Sequence, residues 1–149
     1  MSEVPPLDPA RDHVRGGGPD APYELLLYGD YECPYTRRAM GFVKALEQRF
    51  GSDLRFAYCH FPLPDHHPRA EHAAQAAESA AQGDFWGLHD RLFKRPDELS
   101  DDELAGHAAA VGLDADRVRS ELASGVHAER VRRTSQPRSV RGSVARLRS

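Results

Sequence analysis

Short apolar runs and helix-spaced apolar positions divide the first half of the chain into regular elements. Residues 24–28, Glu-Leu-Leu-Leu-Tyr, form a short apolar run between Ala-Pro and Gly-Asp, which is typical of a strand buried on both faces. From Pro34 to Phe50 apolar residues recur every three or four positions, so the pattern predicts a helix of about four turns. Residues 54–61 predict a second strand, closed by prolines. These lengths predict a parallel βαβ unit with a right-handed crossover.

The middle of the chain predicts a block of helices. Two of these helices begin at recognisable caps, because Ser100 and Glu103 have the spacing of a capping box and Asp114 precedes another apolar period. Beyond Arg133 neither the helical nor the strand period continues. The predicted helical segments cover residues 68–82, 85–93, 100–112, 114–122 and 126–133.

Length and composition fit a single globular domain with polar ends. The chain has 149 residues, of which 40% are hydrophobic, enough for one core of ordinary size. We therefore expect a flexible N-terminal segment over residues 1–20, a folded domain over 21–133 and a basic, poorly ordered tail over 134–149. Residues 1–22 contain no apolar run typical of a signal peptide, and no run approaches the length of a membrane span. We expect a cytoplasmic protein without a membrane partner.

Charge is unevenly distributed between the domain and its tail. All 23 acidic residues and 13 of the 20 basic residues precede residue 130, a net charge of −10, whereas the last seven arginines give residues 130–149 a charge of +7. A basic tail attracts phosphates, but no aromatic residue alternates with these arginines and no recognition motif accompanies them. We expect a solvated tail and no nucleic-acid partner.

The candidate chemistry lies between the first strand and the helix that follows it. Cys33 occupies this junction, and Pro34 opens the helix at its first position. The free amides and partial positive charge of a helix N-terminus stabilise a thiolate relative to a thiol. Asp30 and Glu32 would oppose this effect if their carboxylates lay close to the sulfur. The position therefore predicts a reactive thiol at Cys33.

Other thiol and imidazole groups give weaker signals. Cys59 lies near the end of the second strand, and we expect no Cys33–Cys59 disulfide because such a bond needs close Cα atoms and an oxidising compartment. Four histidines fall close together in sequence without the spacing of a known zinc motif, so we expect no metal site. They are His60, His66, His67 and His72.

The junction also carries a family resemblance. Residues 29–36, Gly-Asp-Tyr-Glu-Cys-Pro-Tyr-Thr, resemble the Gly-Asp-Phe-Glu-Cys-Pro-Tyr-Cys signature of DsbA-like thiol-disulfide oxidoreductases in the thioredoxin superfamily. The resemblance continues through residues 60–63, 67–68 and 82–93 and ends near Val131. It implies a thioredoxin sheet with an inserted helical block. It also implies that Cys33 is the nucleophile of disulfide exchange, with Pro34 and Tyr35 as motif residues.

The chain departs from the family pattern in two places. Thr36 stands where the family has its second cysteine, so a vicinal disulfide cannot form at this motif. The family continues with a Gly-Thr-Pro segment, whose proline is cis and faces the cysteine, then a β-hairpin and a helix, whereas this chain has Val144 at the position of that proline. A frameshift or truncation would account for the second departure. We expect an α/β fold, a thioredoxin-like βαβ unit with an inserted helical block and without the C-terminal β-hairpin.

These features together predict an enzyme that uses one thiol. Cys33 would attack a disulfide, an external thiol such as glutathione would resolve the mixed disulfide, and Thr36 would donate a hydrogen bond to the thiolate, without any bound cofactor. The expected partners are protein or small-molecule thiols and disulfides. The alternative is a non-catalytic thioredoxin-like remnant that serves as a binding or interaction module. Without the hairpin, an open sheet edge would pair with a second copy or cause aggregation.

Overall fold

The computed structural model describes residue 7, residues 12–63, residues 65–135 and residues 143–147, with residue 82 and residues 143–147 described as backbone only. Two short 3-10 turns, Gly51–Asp53 and Ala80–Gln82, join elements of the chain. The strands and helices are β1 His13–Gly16, β2 Tyr23–Gly29, α1 Pro34–Phe50, β3 Leu54–His60, α2 Ala70–Ser79, α3 Phe85–Lys94, α4 Asp101–Ala110, α5 Ala115–Ser124, α6 Ala128–Thr134 and β4 Ser143–Leu147.

The four described strands form one sheet in the order β1-β3-β2-β4. The central strands β2 and β3 are parallel, with Tyr23 opposite Leu54 and Gly29 opposite His60. Since α1 connects them, the predicted βαβ unit is confirmed. The outer strands β1 and β4 are antiparallel to their neighbours, so both central strands are paired on either side.

Two described strands lie outside the bounds of 21–133 predicted for the domain. The segment expected to be flexible over residues 1–20 contains β1, which pairs with residues 55–58 of β3. The tail expected to be poorly ordered contains β4, which pairs with residues 23–27 of β2. Both strands are short and partly polar, and they are held by backbone pairing, so residue periodicity gives little sign of them. The other residues before Asp12 and after Ser135, except Leu7, lie outside the described part of the chain.

The predicted α/β fold, a βαβ unit with a helical block, is confirmed, and the end of the fold adds one further strand to the sheet. In the described part of the chain one strand, β4, follows the helices, and Val144 lies within it opposite Leu26. No cis peptide bond occurs among the described residues. The edges of the described sheet are β1 and β4.

Side-chain alternation along β2 and β3 builds a core on each face of the sheet. Leu27, Phe56 and Tyr58 face the helices and join a cluster with residues of α1 to α5. Their neighbours in the strands face the other way, because successive side chains of a strand point to opposite faces. The second cluster consists of Leu26, Tyr28, Ala57 and Cys59.

Two helices of the block begin at the caps that the sequence predicts. Ser100 and Glu103 form the reciprocal capping box of α4, and the Asp114 carboxylate accepts the first amides of α5. Helix α5 ends at Gly125, whose φ of 68° is in the left-handed region that glycine adopts without strain. None of the helices within the described ranges has the length and apolar character needed to cross a bilayer.

Candidate thiol site

Cys33 lies at the N-cap of α1, directly after the loop that follows β2. Its φ and ψ of −79° and 122° are extended, and Pro34 occupies the first turn of the helix. The Cys33 carbonyl accepts from the Arg37 amide at 3.1 Å, while the Cys33 amide donates to the Asp30 carbonyl at 3.1 Å. Cys33 therefore lies at the end of α1 where the first amides have no helical partners, and its side chain makes no capping hydrogen bond.

The residues of the motif divide into exposed and buried positions. Pro34 and Tyr35 are exposed, and 77% of the Tyr35 surface is accessible. Cys33 and Thr36 each retain 9% of their surface. The thiol is therefore recessed beside an exposed proline and tyrosine, at a surface that another chain can approach.

Thr36 closes the loop that carries Cys33. Its Oγ1 atom accepts a hydrogen bond from the Asp30 amide at 3.3 Å. Thr36 was predicted to donate a hydrogen bond to the thiolate, and in the structure its oxygen accepts from a buried backbone amide. The hydroxyl proton is not used in that bond, so Thr36 retains a donor.

Gly29 allows Tyr58 and Thr36 to approach the loop closely. A Cβ atom at Gly29 would lie 2.6 Å from the Tyr58 hydroxyl oxygen and 2.7 Å from Thr36 Cγ2. The Tyr58 hydroxyl is buried and has no hydrogen-bond partner among the described residues. Burial raises the pKa of Tyr58 well above its ordinary value, and charge on Asp30, Cys59 and Cys33 raises it further. Tyr58 is therefore a neutral phenol within electrostatic range of the motif.

The carboxylates of Asp30 and Glu32 hold the loop in place. Asp30 Oδ1 accepts from the Glu32 amide at 2.8 Å, and Asp30 Oδ2 accepts from the Leu63 amide at 2.9 Å and pairs with His67 Nδ1 at 2.8 Å. Glu32 Oε2 accepts from the Arg69 amide at 2.8 Å. Both carboxylates thus tie the Cys33 loop to the segment between β3 and α2.

Tyr31 anchors the same loop to the helical block. Its hydroxyl lies 2.8 Å from His89 Nδ1, and both side chains are buried. Burial raises the pKa of Tyr31 and lowers that of His89, so the phenol donates to a neutral imidazole. Residue spacing gives no sign of this pair, since its members lie 58 residues apart.

The second thiol lies on the opposite face of the sheet from the helices. Cys59 is 3% exposed and belongs to the cluster of Leu26, Tyr28 and Ala57. Its Sγ donates to Asp12 Oδ1 at 3.4 Å, and both cysteines are free thiols. Cys59 is therefore buried against an aspartate, and it forms no disulfide with Cys33 in this structure.

The histidines considered for a metal site separate in the structure. His67 pairs with Asp30, and His72 Nδ1 lies 2.7 Å from Asp101 Oδ1. His60 instead converges with two residues outside that group, His13 and Glu78, and one ligand atom of each of the three lies within 4.8 Å of the others. No local spacing signals this cluster, because three separate elements supply it.

A family model described as Thioredoxin matches residues 10–138 of the chain. The chain belongs to the thioredoxin family. This assignment agrees with the observed βαβ unit and with Cys33 at the N-cap of the first helix. The predicted family is thereby confirmed at the level of the thioredoxin superfamily.

Solved structures of oxidoreductases share the fold of this thioredoxin-family chain. BdbD from Bacillus subtilis in its oxidised form superposes with a TM-score of 0.80 at 21% identity, covering 95% of this chain and 84% of BdbD. A thioredoxin-like oxidoreductase from Silicibacter pomeroyi gives 0.73 at 26% identity, covering 93% and 81% of the two chains. MdbA, a thiol-disulfide oxidoreductase from Corynebacterium matruchotii, gives 0.64 at 16% identity, covering 85% and 75%. The structural neighbours are DsbA-like oxidoreductases.

Curated relatives are much longer than this thioredoxin-family chain. A Na(+)/H(+) antiporter, NhaA 1 of Mycobacterium sp. strain KMS, is 44% identical over 132 residues, which are 88% of this chain and 21% of that protein. NhaA 1 of Salinispora arenicola is 46% identical over 119 residues, 79% of this chain and 18% of that protein. The chain therefore spans about a fifth of the length of the curated relatives it matches.

Proposed function

We propose that this protein catalyses thiol-disulfide exchange with Cys33 as its single nucleophile. The observation that carries the proposal is the position of Cys33 at the N-cap of α1, three residues before Thr36, while the other thiol, Cys59, is buried and donates to Asp12. A helix N-terminus favours the thiolate, which is the attacking species. The threonine at position 36 requires that the second thiol come from another molecule.

The proposed cycle has two balanced exchanges. The Cys33 thiolate attacks one sulfur of a substrate disulfide, the S–S bond breaks, and the other sulfur leaves as a thiolate. An external thiolate such as that of glutathione then attacks the mixed disulfide, which releases Cys33 and forms a new disulfide with the bound group. Thr36 retains a hydroxyl proton that can donate to the departing Cys33 thiolate. Glutathione acts as a co-substrate in this cycle, and no bound cofactor takes part.

The proposal also agrees with the exposure of the motif and the names of the structural neighbours. Pro34 and Tyr35 are exposed beside the recessed thiol, so a disulfide on a protein or a small molecule has a surface to approach. MdbA is named as a thiol-disulfide oxidoreductase. We place the cycle in the cytoplasm, where thiols are kept reduced and an external thiol is abundant.

A glutathione mixed-disulfide assay tests this function. Reduction of a small glutathione mixed disulfide is coupled to glutathione reductase, and wild-type protein is compared with Cys33→Ser and Cys59→Ser. We expect turnover by the wild type and by Cys59→Ser and none above background by Cys33→Ser. The proposal fails if folded wild-type protein gives no turnover, or if Cys59→Ser removes activity while its circular dichroism is unchanged.

A second candidate function is a binding module without turnover. Three apolar residues of α1, Tyr35, Phe42 and Leu46, are 77%, 67% and 39% exposed. Their spacing of seven and four residues places them along one side of the helix, beginning beside Cys33. In this role the partner would be a transporter of the kind named for the curated relatives. Loss of binding to such a partner in Phe42→Ser, with Cys33→Ser unaffected, would favour this function over the first.

A further inference from the structure

Three metal-binding side chains converge at the end of β3, in a cluster separate from the thiol motif. His13 Nε2 lies 2.8 Å from Glu78 Oε1, and His60 Nε2 lies 3.0 Å from the same oxygen. The side chains of His60 and Glu78 are each 1% exposed, whereas that of His13 is 14% exposed. We propose that His13, His60 and Glu78 form a binding site for one zinc ion.

The donor set fits zinc chemically. Two imidazole nitrogens and one carboxylate oxygen are ordinary zinc ligands, and a fourth position is then left for water. Zinc bonds of about 2.0–2.2 Å to nitrogen and oxygen place tetrahedral ligand atoms about 3.3 Å apart. The observed separations of 2.8 and 3.0 Å are those of hydrogen bonds from the imidazoles to the carboxylate. The three ligand atoms lie within 4.8 Å of one another, so side-chain movements of about an ångström or less would bring them to tetrahedral separations when an ion replaces the bridging protons.

The surrounding residues orient all three ligands. The His13 ring stacks on Phe85 with a centroid distance of 3.6 Å and an interplanar angle of 9°. Arg130 Nε donates to Glu78 Oε2 at 2.9 Å, which fixes the carboxylate with Oε1 toward the histidines. His60 is the last residue of β3, paired with Gly29 in the parallel ladder. Such outer contacts are what hold metal ligands in a binding geometry.

The charges around the cluster set how tightly a cation would be held. Glu78 Oε2 pairs with Arg130, while Oε1 faces the two imidazoles. A metal ligand atom must be deprotonated, so the protons on the bridging imidazole nitrogens have to move or leave when zinc binds. Arg130 neutralises the carboxylate when the site is empty and limits the affinity when it is filled.

A zinc ion here would join three elements of the fold. His13 belongs to β1, His60 to β3 and Glu78 to α2. The ion would fasten the edge strand β1 to the centre of the domain and stabilise the native state over the unfolded chain. This role is independent of the thiol chemistry proposed for Cys33.

Zinc titration of metal-free full-length protein tests the site. Calorimetry and thermal melts are recorded for the wild type, His13→Asn, Cys33→Ser and His66→Asn. His66→Asn is the matched control, because His66 is an exposed histidine outside the cluster. We expect one zinc ion per chain and a rise in Tm for the wild type, His66→Asn and Cys33→Ser, and binding weakened roughly tenfold or more in His13→Asn.

Three results would overturn the proposal. They are no zinc binding by the wild type, unchanged affinity in His13→Asn, and loss of binding in Cys33→Ser, which would make the thiol the ligand. If His13→Asn does not fold, the absorption spectrum of wild-type protein loaded with Co(II) tests the site instead. Ligand-field bands without sulfur-to-cobalt charge transfer support the site, whereas a charge-transfer band assigns the ion to a cysteine.

Discussion

Thr36 Oγ1 accepts the Asp30 amide at 3.3 Å, which closes the loop that holds Cys33 at the start of α1. The residue three positions after the thiol therefore has a structural role in this chain. In the proposed cycle it leaves the exchange chemistry of the motif to one sulfur.

Introducing a second thiol at position 36 tests this arrangement. We expect little dithiol-dependent insulin reduction by the wild type, and an increase of about tenfold or more in Thr36→Cys, because an intramolecular resolving step becomes available. Thr36→Ser is the control, since it keeps the acceptor for the Asp30 amide. Strong wild-type activity would contradict the single-thiol assignment. So would the absence of any gain from a Thr36→Cys protein whose introduced thiol forms a disulfide with Cys33.

The two native thiols should differ in reactivity. Cys33 lies at a helix N-terminus and is 9% exposed, whereas Cys59 is 3% exposed and donates to the Asp12 carboxylate. We expect Cys33 to be alkylated at least about tenfold faster across neutral pH, because the thiolate is the reacting form. Mass spectrometry of the two alkylated peptides measures the ratio. Faster labelling of Cys59 would remove Cys33 as the nucleophile.

Asp30→Asn should destabilise the loop around the thiol. Asp30 is 3% exposed, and its carboxylate binds the Glu32 amide, the Leu63 amide and His67. An amide offers one acceptor in place of two, so a buried donor loses its partner at a cost of about 1–3 kcal/mol. Urea unfolding measures the change. Asp65→Asn, at an exposed turn, should stay within about 0.5 kcal/mol of the wild type, and an equal loss in both variants would refute the role of Asp30.

Glu121 should make stability depend on acidic pH. Partial burial raises its pKa, but hydrogen bonds from His127, Ser79 and Arg117 outweigh this effect and lower it. A carboxylate with a lowered folded-state pKa contributes stability above its unfolded pKa of about 4.3, and that contribution is lost as pH falls through the folded value. We expect Glu121→Gln to lose about 1 kcal/mol at pH 7.

A pH series and a control variant at another carboxylate show whether the stability change comes from the Glu121 charge. The difference between wild type and Glu121→Gln should shrink as pH falls below about 4. Glu129→Gln is the control, because Glu129 is an exposed acid on α6. A difference between wild type and Glu121→Gln that is constant across this pH range would show that the carboxylate charge is not responsible.

Self-association through a sheet edge stays a prediction. The edge strands of the described sheet are β1 and β4, so a second copy would pair with one of them. An edge strand offers unpaired backbone groups to a second copy. We expect sedimentation equilibrium to show concentration-dependent dimers or larger species. A monodisperse monomer with a sharp melt above about 60 °C would contradict this prediction.

The local elements and the thiol position could be predicted from the sequence. The apolar spacing of residues 34–50 defines α1, and Pro34 can occupy only the first turn of such a helix, so Cys33 falls at its N-cap. The capping box of Ser100 and Glu103 at the start of α4 was predicted from the sequence in the same way. These features depend on contacts within one helical turn or one strand, which residue spacing controls.

Only the tertiary structure decided how distant groups meet. His13 and His60 converge on Glu78 across sequence separations of 65 and 18 residues. Strands β1 and β4 pair through backbone groups that every residue carries, so their side chains give little indication of the pairing. The packing of α2 and β1 around the end of β3 determines which side chains share a site, and that packing depends on the whole core. The sequence therefore determined the position of the thiol, whereas the fold alone assembled the histidine and glutamate cluster.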